Sequence, residues 1–285
     1  MKHNVILAPV DVPDVDNLLQ LFRLLATNPH ARILALVTGR PVHPDPDHEV
    51  QLWDWDLAFS QDVLKVNIGR MGHLLRGFGN RIQFFDGGIA PRTPVPHWKH
   101  FHEYYRMADI DPIRALHLCQ MKSMTELVRI LLACPDASVP IVVGGPMTGL
   151  AQVMNRDPRV AQKFSELHAM FATWGKSKMM SLDGTSRNGK QFNVECDPQS
   201  AHHVLNGLSC PIHLLPTEVT RVKAIGFWEL SDLQATLPRT QQAHEFLQLY
   251  HLWYHYVVLP QRDKNPDEMI FTHDLAGALS LLIQS

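Results

Sequence analysis

The chain has 285 residues, 45% of them hydrophobic, and a formal net charge of −2 at pH 7. This composition is typical of a globular protein with a large core, and it argues against a nucleic-acid-binding surface. No apolar stretch approaches the roughly 20 residues that span a membrane. There is no signal-peptide pattern, and the four cysteines lack the spacing of a zinc site, so we expect a cytoplasmic protein with reduced thiols.

The first predicted elements are a buried strand at residues 5–7 and an apolar helix at 18–25. Between them lies an acidic run that contains Asp11, Asp14, Asp16 and Asn17. A strand followed by a helix places this run at the carboxyl end of the strand, where open α/β sheets bind ligands. Such side chains can cap the helix, bind a hard cation through oxygen atoms or act as a general base. The local pattern alone favours capping.

A second strand at residues 33–37 completes a strand–helix–strand unit, which is right-handed by default. Arg40 opens the polar loop that follows it. Its guanidinium could bind an anionic group of a ligand or pair with Asp45 or Asp47, and the local pairing is favoured. Residues 81–85 are predicted as a third strand, followed by a tight Asp-Gly-Gly turn at 86–88.

A buried strand at residues 139–143 leads directly into the loop Gly-Gly-Pro-Met-Thr-Gly at 144–149 and then a helix. Glycines between a strand and a helix let the backbone approach a ligand closely, although the Gly-Lys-Ser/Thr of a Walker A loop is absent. The remaining predicted elements are helices at 124–134, 160–174, 242–259 and 275–282, strands at 178–182 and 211–215, a polar loop at 183–189 and a helix beginning at Asp197-Pro198.

The alternation of strands and helices has no linker and no internal repeat. It predicts one doubly wound α/β domain over residues 1–285, with a mostly parallel central sheet flanked by helices. The polar residues that follow the strands would gather at one edge of that sheet. No GxGxxG follows the first strand, which argues against a dinucleotide-dependent oxidoreductase.

Four segments carry a resemblance to a known family: VVGGPMTGLA at 142–151, FNVECDPQSAHHV at 192–204, PIHLLPTEVT at 211–220 and HDLA at 273–276. In order and spacing they resemble the nucleoside hydrolases of the inosine-uridine-preferring type. The resemblance implies a nucleoside hydrolase-like fold, hydrolysis of an N-glycosidic bond and a role in purine or pyrimidine salvage. It also implies a nucleoside-like small-molecule ligand, a Ca²⁺ cofactor and a homodimer or homotetramer, with no nucleic-acid or membrane partner.

The same resemblance assigns roles residue by residue. The implied Ca²⁺ ligands are Asp11, Asp16, Asn17, the carbonyl of Gly144 and Asp274. The implied catalytic residues are Asp11, Asp16 and His273. A carboxylate takes the proton of a metal-bound water, and the histidine assists the leaving base. The implied substrate contacts are Asn193, Gln191, Arg40 and Asn188.

The chain also departs from the family pattern Asp-x-Asp-Pro-Gly-x-Asp-Asp, since residues 10–17 read VDVPDVDN. Asn17 replaces the last aspartate, and Asp11 fits the role of the base only if the loop is shifted by one residue. An amide keeps an oxygen ligand but removes a charge, so Ca²⁺ affinity should fall. Two hypotheses follow. One is an N-ribosyl hydrolase with an altered metal site, and the other is a catalytically impaired hydrolase-fold protein that acts as a ligand-binding or scaffold module.

Overall fold

The computed structural model describes residues 4–11, 15–39, 68–69, 71–75, 81–91, 121–172, 178–180, 186–188 and 191–216. The helices predicted at 242–259 and 275–282 lie outside these ranges, as do Asp14, Arg40, His273 and Asp274. Within the described ranges, no helix is long and apolar enough to cross a membrane.

The structure has the alternating strands and helices that the sequence predicts. The strands are β1 (Val5–Asp11), β2 (Arg32–Gly39), β3 (Ile82–Ile89), β4 (Met121–Lys122), β5 (Val139–Val143), β6 (Phe164–Ala172), β7 (Lys178–Met180), β8 (Ser186–Asn188) and β9 (Ile212–Pro216). The helices are α1 (Val15–Thr27), α2 (Met124–Leu132), α3 (Thr148–Arg156), α4 (Phe192–Cys196) and α5 (Pro198–Gly207), with a 3-10 helix at Pro158–Lys163.

Seven strands form one parallel sheet in the order β4-β3-β2-β1-β5-β6-β9. Strands β7 and β8 form a separate antiparallel pair. The chain moves outward from β1 through β2, β3 and β4, then returns to the other side of β1 with β5. The strand order therefore reverses between β1 and β5, which is the point where open α/β sheets bind ligands at the carboxyl ends of their strands. This architecture confirms the predicted doubly wound α/β fold.

The central strands are buried on both faces. On one face, Leu7 and Ile141 belong to a core cluster that includes side chains of α2, α3 and α5. On the other face, Ile6 and Ile33 are fully buried, and the leucine-rich side of α1 packs there. Burial on both faces explains why these strands are nearly continuous apolar runs in the sequence.

The helix predicted at 160–174 is wrong. The chain instead forms the 3-10 helix Pro158–Lys163 and then β6. Leu167 and Ala169 pack on one face of this strand while His168 and Met170 are buried on the other, so the sequence lacks the simple polar–apolar alternation of a half-buried strand.

Two smaller predictions also need correction. Strand β3 continues through the predicted turn at 86–88 as far as Ile89, with Gly88 at φ +74° near a shift in register. Strand β8 lies inside the polar loop predicted at 183–189. The predicted start of α5 is confirmed, because the Asp197 side chain accepts a hydrogen bond from the Ser200 amide at 3.0 Å.

Candidate functional site

Asp11 and Asn17 meet across the turn between β1 and α1. Asp11 is the last residue of β1 and is fully buried, and Asn17 lies in the first turn of α1. The Asn17 Nδ2 donates a hydrogen bond to Asp11 Oδ1 at 2.5 Å. Asp11 belongs to the strand and Asn17 to the first turn of the helix, so neither is at the N-cap position. Asp14, which precedes Val15, lies outside the described residues, and the capping that the local pattern favoured stays a prediction. Asn17 Oδ1, on the other side of the amide, is buried and has no hydrogen-bond partner among the described residues.

The glycine-rich loop after β5 lies directly against the end of β1. The Gly144 amide donates to the Pro9 carbonyl at 2.9 Å. A Cβ on Gly145 would stand 2.7 Å from the Asp11 backbone nitrogen, closer than a side chain tolerates. Glycine is required here because two backbones touch. The sequence predicts a close approach to a ligand, and that stays a prediction. The loop therefore brings the Gly144 carbonyl next to the strand that carries Asp11.

Asn193 adds a second amide to this group from the start of α4. Its Nδ2 donates to the Gly144 carbonyl at 3.1 Å, across 49 residues of sequence. Its Oδ1 is buried without a hydrogen-bond partner in the described part of the chain. Helix α4 has 5 residues, too few for its dipole to attract a ligand appreciably, so Asn193 acts here through its side-chain amide.

Gln191 holds α4 in place. It is the N-cap residue of that helix, and its Oε1 accepts from the Val194 amide at 2.9 Å. Its Nε2 donates to the Met170 carbonyl at 3.2 Å, close to the end of β6. The sequence predicts a substrate contact for Gln191. In the structure its amide binds backbone groups, and a role in substrate binding stays a prediction.

Two further contacts that position the site were missed by sequence reasoning. Gln20, one turn after Asn17, is buried and donates from Nε2 to the Val142 carbonyl at 2.9 Å, which ties α1 to β5. Thr148, at the start of α3, donates to Asp197 Oδ2 at 2.8 Å and ties the glycine-rich loop to α5. The contact of Gln20 could have been predicted, because a polar residue within an apolar helical stripe indicates a buried hydrogen bond.

The predicted site residues thus fall into three sets. Asp11, Asn17, Gly144 and Asn193 come together at the carboxyl ends of β1 and β5. Asp16 and Asn188 lie in α1 and β8, but their side chains are outside the described part of the structure, as are Arg40, His273 and Asp274. Of the carboxylates expected to converge, Asp11 is therefore the one whose side chain is described.

The assembled group is rich in oxygen acceptors. It contains the Asp11 carboxylate, the Gly144 carbonyl and the amide oxygens of Asn17 and Asn193. Thr38, the register partner of Asp11 on β2, adds a buried hydroxyl oxygen that lacks a hydrogen-bond partner among the described residues. Buried polar atoms are normally satisfied, so these oxygens suit a ligand that brings hydroxyl donors or a hard cation.

A second polar group lies elsewhere on the sheet. Glu166 and His168 on β6 and His213 on β9 place one ligand atom each within 4.8 Å of the others, so they could hold a metal ion. Sequence reasoning missed this group because it predicted a helix over 160–174. In a helix, residues two apart point to different sides, whereas in a strand Glu166 and His168 share a face.

Comparisons with known proteins identify the family. The sequence model of the inosine-uridine preferring nucleoside hydrolases matches residues 64–285. The chain therefore belongs to the inosine-uridine preferring nucleoside hydrolase family. A search of curated proteins gave no significant match.

Solved structures support the same fold. An inosine-uridine preferring nucleoside hydrolase from Bacillus anthracis is 18% identical with a TM-score of 0.59, covering 98% of this chain and 81% of that one. An inosine-guanosine nucleoside hydrolase is 18% identical with a TM-score of 0.65, covering 96% and 77%. The type III effector protein XopQ, complexed with adenosine diphosphate ribose, is 12% identical with a TM-score of 0.55, covering 98% and 83%. At this identity the likeness establishes the fold alone.

Proposed function

We propose that this protein is an N-ribosyl hydrolase that cleaves the N-glycosidic bond of a nucleoside or a related ribosyl compound. The observation that carries the proposal is the meeting of Asp11, Gly144 and Asn193 at the point where the strand order reverses. This cluster offers a carboxylate and several buried oxygen acceptors, which suit the hydroxyl groups of a ribose. Family membership supports the same chemistry.

In this proposal Asp11 is the general base that takes a proton from the attacking water. Cleavage of a ribosyl–nitrogen bond develops oxocarbenium character at C1′, which a nearby carboxylate also stabilises. The free amide oxygen of Asn193 accepts a hydrogen bond from a ribose hydroxyl. Asp16 assists at the same loop, and His273 donates a proton to the leaving base. Arg40, Asn188 and Gln191 complete the proposed contacts to the substrate.

The donor chemistry also fits a Ca²⁺ ion, since Ca²⁺ takes carboxylate, amide and backbone carbonyl oxygens. Asp11, Asn17 and Gly144 would hold it, with Asp16 and Asp274 as the further proposed ligands. When bound, the ion would supply an activated water and hold the ribose diol. One observation limits the fit. Asn17 turns its NH₂ toward Asp11, so its amide would have to rotate by about 180° to offer its oxygen to an ion shared with that carboxylate.

The hydrogen bond between Asp11 and Asn17 also favours a second candidate. It satisfies a buried carboxylate oxygen with a neutral donor, so the two side chains hold together without a cation. A site closed in this way would bind a ribosyl ligand without hydrolysing it. The complex of XopQ with adenosine diphosphate ribose supports this choice of ligand class. The second candidate is therefore a binding module for nucleosides or ADP-ribose-like compounds.

Ribose release from a nucleoside panel, measured by a reducing-sugar assay, separates the candidates. The hydrolase proposal expects turnover by the wild type and a loss of at least about 100-fold in kcat in Asp11→Asn, as for a general base. The matched control is Asp136→Asn, because Asp136 is 69% exposed and pairs with Lys163 away from the site. Calorimetry with nucleosides and ADP-ribose completes the test. Binding without ribose release supports the binding module. If the protein shows no binding and no ribose release, both candidates are contradicted.

A further inference from the structure

The side chains of Glu166, His168 and His213 converge on one face of the sheet. Glu166 and His168 are two residues apart on β6, so they point the same way. His213 is the register partner of His168 on β9. The two imidazole rings are stacked, with centroids 4.7 Å apart and planes at 21°. Adjacent parallel strands therefore fix all three groups through the backbone, without relying on loops.

One carboxylate oxygen faces both imidazoles. Glu166 Oε2 lies 2.9 Å from His168 Nε2 and 3.7 Å from His213 Nε2. A carboxylate is an acceptor only, and a neutral imidazole offers a lone pair on one ring nitrogen. His168 is fully buried, so bulk water does not separate it from the carboxylate. Three such atoms converge stably when a proton or a metal cation lies among them.

We propose that Glu166, His168 and His213 form a binding site for a divalent d-block cation of the Zn²⁺ class. Two histidines and one carboxylate are an established ligand set for Zn²⁺, with metal–ligand distances near 2.0–2.2 Å. Tetrahedral coordination at these distances separates neighbouring ligand atoms by about 3.4 Å. The 2.9 and 3.7 Å separations bracket that value, and all three ligand atoms lie within 4.8 Å of one another. A small rotation of the His213 ring, which is 33% exposed, completes the geometry.

The ligand chemistry sets the site apart from the oxygen-rich cluster at Asp11. Imidazole nitrogens favour Zn²⁺ and similar ions, whereas Ca²⁺ and Mg²⁺ take oxygen ligands. His168 is level with Val142 on β5, and Val142 precedes the glycine-rich loop by two residues. His168 on β6 is thus two strands from β1 and, at about 3.3 Å per residue, roughly 7 Å back from the glycine-rich loop. The inference does not depend on the proposed nucleoside chemistry.

The metal would join β6 to β9, which forms the edge of the sheet in the described part of the chain. It would bind the folded strands and not the unfolded chain, so it should raise thermal stability by an amount that grows with the logarithm of its concentration above Kd. The open side at His213 leaves room for water as the remaining ligand. A structural role at the sheet edge follows from this placement.

The test measures Zn²⁺ binding to chelator-treated full-length protein by competition with a chromogenic chelator. One equivalent should bind to the wild type, with no competition from millimolar Ca²⁺. Glu166→Gln and His213→Gln should each weaken Kd by more than about 100-fold, beyond the range for residues that only support a ligand. His168→Gln provides a third variant, and the two partly exposed positions keep the test valid should that buried change impair folding.

The matched control is the double variant His202→Gln/His203→Gln, which removes two exposed imidazoles on α5. It should retain the full equivalent of Zn²⁺. Co²⁺-loaded protein should show visible ligand-field bands without a thiolate charge-transfer band, and Cys210→Ser should leave those bands unchanged. Zn²⁺ binding that survives in Glu166→Gln and His213→Gln, or no uptake at micromolar Zn²⁺, would overturn the proposal in favour of a proton shared within the triad.

Discussion

Asn17 donates its side-chain amide to the buried Asp11 carboxylate, closing the turn between the first strand and the first helix with a bond between two side chains. The neutral Asn17 amide stabilises the Asp11 carboxylate, as a cation would stabilise two carboxylates in the same places. The bond ties the end of β1 to the first turn of α1. In the Ca²⁺ site proposed above, Asn17 is the position at which a carboxylate would most change the affinity for the ion.

Replacing Asn17 with Asp should make the stability of the protein dependent on Ca²⁺. The change removes a hydrogen bond to a charged group, worth about 1.5–3 kcal/mol, and places a second carboxylate beside Asp11. We expect a lower Tm in EDTA and recovery of that Tm in millimolar Ca²⁺, measured by scanning calorimetry. Asn206→Asp is the control, because this exposed side chain bonds to the His202 carbonyl at the helix surface. An equal response of both variants to Ca²⁺ would contradict the assignment.

Replacing Gly145 with Ala should disturb both the fold and the site. The new Cβ would lie 2.7 Å from the Asp11 backbone nitrogen, and backbone atoms cannot move aside cheaply. Overpacking of this kind costs about 1–3 kcal/mol, measurable by urea unfolding. Gly207→Ala is the matched control, since its Cβ would meet the flexible end of the Met154 side chain. A Gly145→Ala variant as stable as the Gly207→Ala variant would show that the loop does not press on β1.

Replacing Thr148 with Val should destabilise the protein by about 1.5–3 kcal/mol, since the buried Asp197 carboxylate loses a hydrogen bond. The comparison is Ser138→Ala, which removes an exposed bond to the neutral Pro135 carbonyl and should cost about 0.5–1.5 kcal/mol. Urea unfolding of the two variants measures the difference. Equal losses would indicate that the Asp197 carboxylate draws little stability from Thr148.

The stability of the protein should decline at alkaline pH through two thiols. Burial raises the pKa of Cys134 and of Cys210 above the ordinary value of 9.0. The folded protein therefore keeps thiol protons that the unfolded chain releases, so the free energy of unfolding falls as the pH rises through 9.0. Urea unfolding at pH 8 and pH 10 measures the slope. The double variant Cys134→Ser/Cys210→Ser should show a shallower decline, and an unchanged slope would contradict the attribution.

Sequence patterns predicted the central part of the fold well because burial dominates there. The short apolar run after Asn4 is typical of a buried strand, the leucines of α1 have the period of a helix, and both elements are present. The close packing of the glycine-rich loop is present, since Gly145 lies against the backbone of β1, and the predicted approach of this loop to a ligand stays a prediction. At Gly145 the backbone of β1 leaves no space for a Cβ, and glycine is the residue type that lacks one.

Other features could not be predicted because they depend on distance across the fold. β6 is buried on both faces, so its hydrophobic pattern did not distinguish a strand from a helix. Because a helix was predicted there, the convergence of Glu166 and His168 was not predicted. The hydrogen bond between Asn17 and Asp11 is equally invisible in the sequence. Spacing brings the two residues to the same turn, but only the geometry of the turn decides that the amide faces the carboxylate.

The place of β1 in the sheet has a consequence for synthesis of the chain. β1 is made well before β5, yet the two strands pair, with Leu7 as the register partner of Ile141. At translation rates of about 5–20 residues per second, β1 leaves the ribosome on the order of 10 s before that partner. During this interval the edge of β1 that later pairs with β5 is uncovered. The nascent chain is therefore most exposed to aggregation before the glycine-rich loop has been made, and most dependent on chaperones then.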